Sequence, residues 1–568
     1  MSSPAFIVTQ HEARRLPGLV LFLLGTLYIL PGLLGRDPWG RADAEGFGLA
    51  LTMARGVFDD WLAPNVFGLP VAQEGPLPGW LGALAILSFG PLVGEPAAAR
   101  LASGLVTALG LLWVWRATTL LAARPEIQPA DPFEVSARAA DIGRAVADAA
   151  LLVCVATCGL IARVHETSSI AFQFAWLAAF ALGAAVAIER PLRGGLIAGA
   201  AIAASALTRG LPIATALLAV LALLPVFAQR YRLVALPMLG GALASAALLA
   251  LPWPFVLAGQ HPEGDAWLRV WLGWNAAEIG TGSLRSLVFL ARNLPWYLWP
   301  AWPLALWAAW RWREKWRTPA LLLPLLMAGA AGVLMVLAPV PTETMMLPAV
   351  VPAAMLAALA LPVVERGLVS LLDWIAVATF SLIGVVIWAY WLALLTGFPP
   401  RMADSAIRLA PGFASDTAGL QTLAGLIASG AWLALVWWRA SQRPRAIWRS
   451  MALSSGGLLL AWVLLIVLWL PAYNARVSYR GVATDLAAAL GTTDGCVRGE
   501  PLDAAQRANL AHFGGIRFGR PGERCDWLLI RNDTHVRLAP PSIEWQPVWQ
   551  GRRPFDSTER FVLYRRAQ

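Results

Sequence analysis

Six carboxylates crowd into residues 36–80: Asp37, Asp43, Glu45, Asp59, Asp60 and Glu74. They lie between long uncharged stretches, and a charge placed in hydrocarbon is costly. Such groups must face water, a cation or a ligand, so the cluster marks a site. An acidic group there can orient or deprotonate a hydroxyl. Cations that would answer it are also in place. Arg209 lies alone in the break between two short apolar runs, and Arg100 opens another. At that depth an arginine needs a partner, for which a phosphate or snorkelling to the interface are the two readings. Arg163, His165 and Glu166 sit together between two further apolar stretches, either lining the same cavity or forming a solvated loop. One His and one Glu are too few to define a metal site.

No phosphate-binding glycine loop, dinucleotide fingerprint or HExxH sequence occurs. A membrane enzyme lacking a nucleotide site needs an activated substrate that already resides in the bilayer. Composition fixes the class: 58% of residues are hydrophobic and only 14% charged. The net charge of +10 comes almost entirely from arginines scattered at the ends of apolar stretches and in the C-terminal tail. No basic run with interleaved aromatics occurs, which argues against a nucleic-acid partner. Many of the 29 tryptophans flank apolar segments, as an interfacial belt requires.

Uncharged stretches predict an all-α polytopic membrane protein with about thirteen spans: 16–35, 97–115, 145–162, 168–188, 194–208, 211–229, 233–255, 294–310, 318–340, 344–364, 371–396, 417–438 and 451–471. Segment 75–94 is also apolar. If it crossed, the later basic loops would move to the outside. With thirteen spans and a cytoplasmic N-terminus, inner loops carry 19 Lys or Arg against 8 acids, and outer loops before the tail 10 against 14. The positive-inside rule therefore lays 75–94 along the outer interface. The chain divides into a membrane domain, 1–471, and a tail, 472–568. The membrane domain includes a first outer loop with interfacial helices, 36–96, and a long outer loop, 256–293, read as a flexible lid. The tail has helix-like 475–490 and 502–512, then strand-like 527–530, 545–549 and 560–564, predicting a small extracytoplasmic α/β domain. Cys496 and Cys525 lie in it and are expected to form a disulfide if it is outside the cytoplasm. Cys154 and Cys158, in an apolar stretch, read as packing residues.

The run Asp43-Ala-Glu45, then Met53, Asp60-Trp61-Leu-Ala-Pro64-Asn65-Val-Phe-Gly68 and Gln73-Glu74-Gly75-Pro76-Leu77 resembles the first extracytoplasmic loop of GT-C glycosyltransferases. The similarity is to the lipid A aminoarabinose transferases and the bacterial relatives of protein O-mannosyltransferases. Ala98-Ala-Arg100-Leu101, Thr208-Arg209-Gly210, Pro295-Trp296, Leu347-Pro348 and Pro471-Ala-Tyr473-Asn474 extend it over essentially the whole chain. The resemblance implies transfer of a sugar from a polyprenyl-phosphate donor to a lipid, glycan or protein acceptor on the periplasmic face of a bacterial inner membrane. It places Asp43 at the family's catalytic aspartate, with Glu45 beside it, and Arg209 or Arg100 at the donor phosphate. Asp43 as a helix N-cap is the plainer role. Gln73 and Glu74 fall where relatives carry Glu-Lys, so a cation has become a carboxylate. That reversal bears on aminoarabinose and lipid A specificity. Glu74 as a turn cap is the simpler reading. Partners implied are the donor, the acceptor and membrane lipids. No cofactor follows from the motifs, and a divalent ion is left open.

Two other classes compete. A transporter or flippase would show internal repeats with broken helices in both halves, and no repeat stands out. A catalytically inactive relative acting as a scaffold is suggested by the altered Gln73-Glu74 pair, while Asp43 is retained.

Overall fold

The structure is a computed structural model that describes residues 8–128, 136–410, 418–441, 446–491, 495–520, 522–533, 544–553 and 558–567. Each of the thirteen apolar stretches carries helix. Nine helices among the described residues are individually long and apolar enough to cross a bilayer. A tenth span arises if the bent pair Ala139–Ala156 and Cys158–His165 is counted as one. The other three expected spans are shorter or broken. Gly18–Ile29 stops at Pro31 and Gly32, Leu211–Phe227 starts after the break at Gly210, and 294–310 is divided between Leu284–Tyr297 and Ala301–Arg311. Proline and positive-φ glycine end these helices because neither continues an α-helix at low cost.

Loop contacts sort the helix ends onto two faces. On one face Glu12 O accepts from Ile447 N (3.1 Å), and Trp448 Nε1 donates to Arg14 O (2.9 Å). Glu126 on that face pairs with Arg124 and Arg230, and its carbonyl accepts from Lys315 Nζ (2.8 Å). The opposite face carries residues 36–74 and the tail domain, joined by Asn509 Nδ2 to Pro38 O (2.7 Å) and Arg480 to Asp37 (3.0 Å). The N-terminal segment and the tail thus lie on opposite faces, which requires an odd number of crossings.

Helix Leu77–Val93 begins and ends on the tail's face. Gly75 N donates to Thr208 O (3.0 Å), and beyond its far end Glu95 meets Arg55 (2.7 Å) and the tail residue His512 (3.0 Å). It returns to the face it leaves.

The 36–96 segment also holds the Arg41–Arg55 helix, the short Phe58–Leu62 helix and a small hairpin, β1 (Asn65–Val66) and β2 (Leu69–Pro70). Ala44, Phe47, Leu51 and Met53 of Arg41–Arg55 are all buried. Two glycines permit this. A Cβ on Gly46 would stand 1.6 Å from the Thr167 carbonyl, and one on Gly48 would stand 2.5 Å from Ala508 Cβ in the tail. The helix is therefore wedged between the 163–169 loop and the Ala504–Gly514 helix.

The 256–293 segment, expected as a flexible lid, is folded and docked. Pro252–Gln260, Gly264–Ala277 and the start of Leu284–Tyr297 are helical. Trp253, Trp267 and Trp271 bury together against Leu62, Ala63, Ala72 and Leu207. Trp253 Nε1 donates to Leu62 O (2.9 Å) and Trp267 Nε1 to Pro64 O (3.2 Å). Burial of the three rings, two of them with the indole N–H donating to a backbone carbonyl, makes this a packed wall.

The tail folds as helices Arg480–Leu490 and Ala504–Gly514 against strands β3 (Val497–Glu500), β4 (Trp527–Asp533), β5 (Trp545–Gly551) and β6 (Glu559–Arg566). The sheet order is β3-β4-β6-β5; β3 and β4 are parallel and the other pairs antiparallel. Asp503 caps Ala504–Gly514 in a capping box with Gln506. Cys496 and Cys525 form a disulfide with their Cα atoms 5.1 Å apart. Cys154 is buried and free.

Candidate functional site

Asp43 lies in the first turn of Arg41–Arg55, whose N-cap is Gly40; the N-cap role for Asp43 is therefore not the one adopted. Its carboxylate is fully buried, 0% exposed, as is Arg100. Arg100 Nε and its terminal nitrogen donate to the two Asp43 oxygens at 3.2 and 2.7 Å. The Thr167 N–H donates to Asp43 at 2.7 Å, and Arg36 stands 3.7 Å away. Arg100 also donates to the Arg36 carbonyl. Burial alone would raise the Asp43 carboxyl, but the Arg100 and Arg36 guanidiniums outweigh it and hold the group below its ordinary range. Asp43 and Arg100, expected as the catalytic aspartate and a donor-phosphate ligand, are instead closed on each other in a fork-shaped ion pair. Arg100 has no free edge for a phosphate in this arrangement.

Arg36 continues the network. It is 6% exposed, lies 3.9 Å from Glu166, and its guanidinium is 4.5 Å from the Trp39 ring. Glu166 bonds Arg163 (3.3 Å), which reaches Glu343 (3.6 Å). His165 is fully buried. Its ring stacks on Trp462 at 4.5 Å, and its nitrogens lie 2.5 and 2.7 Å from the Ile161 and Tyr28 carbonyl oxygens. It ties the first and last apolar helices to the 163–169 loop. Among the described residues no three His, Cys, Asp or Glu side chains converge as metal ligands.

A second group, which begins two residues along the same helix and about 200° around it, is partly exposed. Glu45 is partly exposed, and so are Glu74 and Arg209. Burial, with the Glu74 carboxylate next, raises Glu45 to about 7, against the pull of Arg41 and Arg209. Burial also raises Glu74, opposed by Arg209 and by the Ser169 hydroxyl, which donates to it at 2.5 Å. Glu74 accepts this bond instead of capping a turn. Gln73 is exposed.

Arg209 is the last residue of Pro191–Arg209, and its guanidinium makes no ion pair or hydrogen bond among the described residues. It stands in the field of Glu45, Glu74 and Glu278 instead. Its direction is set by the break that follows. Gly210 takes φ +92°, and a Cβ there would stand 2.0 Å from Asn275 Oδ1. That oxygen accepts from Leu211 N at 2.6 Å, while Asn275 Nδ2 donates to Trp271 O at 2.7 Å. On the other side, Gly75 packs onto the Leu207 carbonyl, where a Cβ would be 2.1 Å away. Arg209 and Glu74 are thus presented side by side.

The expected residues therefore divide in two. Asp43, Arg100, Arg163 and Glu166, with Arg36, form a buried or half-buried charge lattice. Glu45, Glu74 and Arg209 form an accessible constellation beside exposed Gln73, and Glu278 joins it. Arg36 and Glu278 escaped sequence reasoning, although each is a charge at the end of an apolar stretch. Thr167 acts through its backbone and Asn275 by bridging a helix break, so neither leaves a readable signal.

This architecture is the GT-C fold of polytopic membrane proteins. The chain is similar to ArnT from Cupriavidus metallidurans. Against the crystal structure of that protein bound to undecaprenyl phosphate, the TM-score is 0.66 at 15% identity, over 96% of this chain and 97% of that one. The apo structure of the same protein gives 0.65 with the same identity and coverage. No family model matches the chain, and no curated protein does.

Proposed function

We propose that this protein is an integral-membrane glycosyltransferase that moves a sugar from a polyprenyl-phosphate donor to an acceptor on the face bearing the first loop and the tail domain. The observation that carries the proposal is Arg209, partly exposed and with no ion-pair partner among the described residues, beside a carboxylate close to neutral pKa, in a fold shared with a protein crystallised with undecaprenyl phosphate. The positive-inside rule supports reading that face as the non-cytoplasmic one, the periplasmic side if the membrane is a bacterial inner membrane.

Each residue has a distinct task. The donor's lipid tail partitions into the bilayer and leaves its phosphate at the interface, where Arg209 holds it. The acceptor oxygen attacks the sugar's anomeric carbon, and the bond from that carbon to the phosphate oxygen breaks. The bonding electrons leave with polyprenyl phosphate, whose added charge Arg209 stabilises. Glu45 takes the acceptor's proton, a role its pKa near neutrality suits. Asp43 is a positioning residue: it neutralises Arg100 and fixes the helix from which Glu45 projects. Glu74, anchored by Ser169, keeps Glu45 basic and disfavours a second anion beside the site.

Binding of undecaprenyl phosphate to the purified full chain tests the reading. Arg209→Ala should weaken binding by about 10-fold or more, the loss of one charge-assisted contact. Wild-type protein that binds undecaprenyl phosphate no better than undecaprenol would overturn it.

A further inference from the structure

The opposite face holds a cavity of about 420 Å³ that belongs to none of the chemistry above. Its walls are apolar: Val20, Leu24, Leu152 and Leu435 line it, and Val20 is 42% exposed. Its mouth is cationic, with Arg14, Arg15 and Arg449 between Trp438 and Trp448.

Among the described residues only one of these three charges meets a carboxylate. Arg15 pairs with Asp141 (3.4 Å), and neighbouring Arg439 pairs with Asp373. The Glu12 carboxylate accepts from the Thr9 N–H and hydroxyl at 2.9 and 3.1 Å. Arg14 and Arg449 have no carboxylate at ion-pair distance among the described residues. Arg449 also lies in the repulsive field of Arg14 and Arg439, and its Nε is buried without an acceptor. Its guanidinium is held 4.6 Å from the Trp438 ring and 5.7 Å from the Trp448 ring, which lie within 9° of parallel. Cation–π contact orients the group without neutralising it. Trp448 is fixed in turn by its bond to the Arg14 carbonyl.

We infer that this cleft is a binding site for an anionic phospholipid. Its phosphate sits between Arg14 and Arg449, and an acyl chain runs along Leu24, Leu152 and Leu435. The paired features select the ligand. A soluble anion has no use for the apolar wall, and a zwitterionic lipid brings an ammonium towards uncompensated arginines. A lipid phosphate supplies the acceptor that Arg449 Nε lacks.

Native mass spectrometry of the full chain in detergent, titrated with phosphatidylglycerol or phosphatidylcholine of matched chains, tests this. Wild-type protein should take up its first phosphatidylglycerol about 10-fold or more tightly than phosphatidylcholine. Replacing both cleft charges, Arg14→Gln with Arg449→Gln, should weaken phosphatidylglycerol roughly 30-fold and leave phosphatidylcholine unchanged. Val20→Trp keeps the charges but fills the apolar wall, and should also lose phosphatidylglycerol. A control on the same face, Arg190→Gln with Arg317→Gln, should lose little. Equal binding of the two lipids by wild type overturns the inference without any variant. Equal losses in control and cleft variants would mean diffuse surface attraction and overturn it as well.

Discussion

Two carboxylates two residues apart, about 200° around the same helix, have opposite fates. Asp43 is sealed against Arg100 and Arg36, and Glu45 is left partly open next to Glu74. Removing the Asp43 charge strands a buried guanidinium, at a cost of about 3–5 kcal/mol. Asp43→Asn should therefore lower the thermal midpoint in detergent markedly, whereas Glu45→Gln should leave it unchanged and abolish most transfer. An Asp43→Asn protein with wild-type stability and no activity would return the base role to Asp43. The pH profile separates the two residues further. Glu45 must be unprotonated to accept a proton, so kcat/KM should rise with pH through about 7. Glu74→Gln removes a neighbouring negative charge and should shift that limb to lower pH. A profile unmoved by Glu74→Gln would separate the limb from Glu45. An acceptor that is itself a phosphate needs no deprotonation and would flatten the limb.

The elements work by close approach. Gly46 lets the Arg41–Arg55 helix meet the Thr167 carbonyl, and that contact brings the Thr167 N–H to Asp43. Gly46→Ala should cost about 1–3 kcal/mol and reduce transfer in the same protein, because overpacking here pushes apart the two segments that frame the site. Unchanged melting and activity would show that the 163–169 loop yields freely. The tail disulfide is a separate element. Its 29-residue separation gives a loop whose opening should destabilise the tail domain by about 2–4 kcal/mol, read as a reductant-dependent shift in its unfolding. Hydropathy alone located all thirteen apolar stretches, because span length and arginine-marked ends are strong signals. It did not foresee that the 256–293 segment is helical, with Trp267 and Trp271 docked beside Trp253 of the preceding residues. Tryptophans at a membrane interface and tryptophans in a packed wall have the same sequence signature.

At the scale of the molecule, charge placement and contact topology agree. A cysteine at exposed Gln73 and one at exposed Arg190 should label from opposite sides of intact cells; labelling of both from the same side would contradict the two-face arrangement. The acidic cluster was legible as a candidate site from its surroundings alone. Which of its members face solvent was not, because that depends on residues distant in sequence: Arg100 on Asp43, Ser169 on Glu74, Asn275 at the break after Arg209. The central claim is glycosyl transfer from a polyprenyl-phosphate donor, with Glu45 as base. It is tested most directly by incubating membranes containing the full chain with radiolabelled polyprenyl-phosphate sugars and following the label. The account predicts that label from one donor moves to an envelope acceptor, and that Glu45→Gln lowers the rate by about 10²-fold or more. Equal labelling by wild type and Glu45→Gln, or no labelling above membranes lacking the protein from any donor, would contradict it.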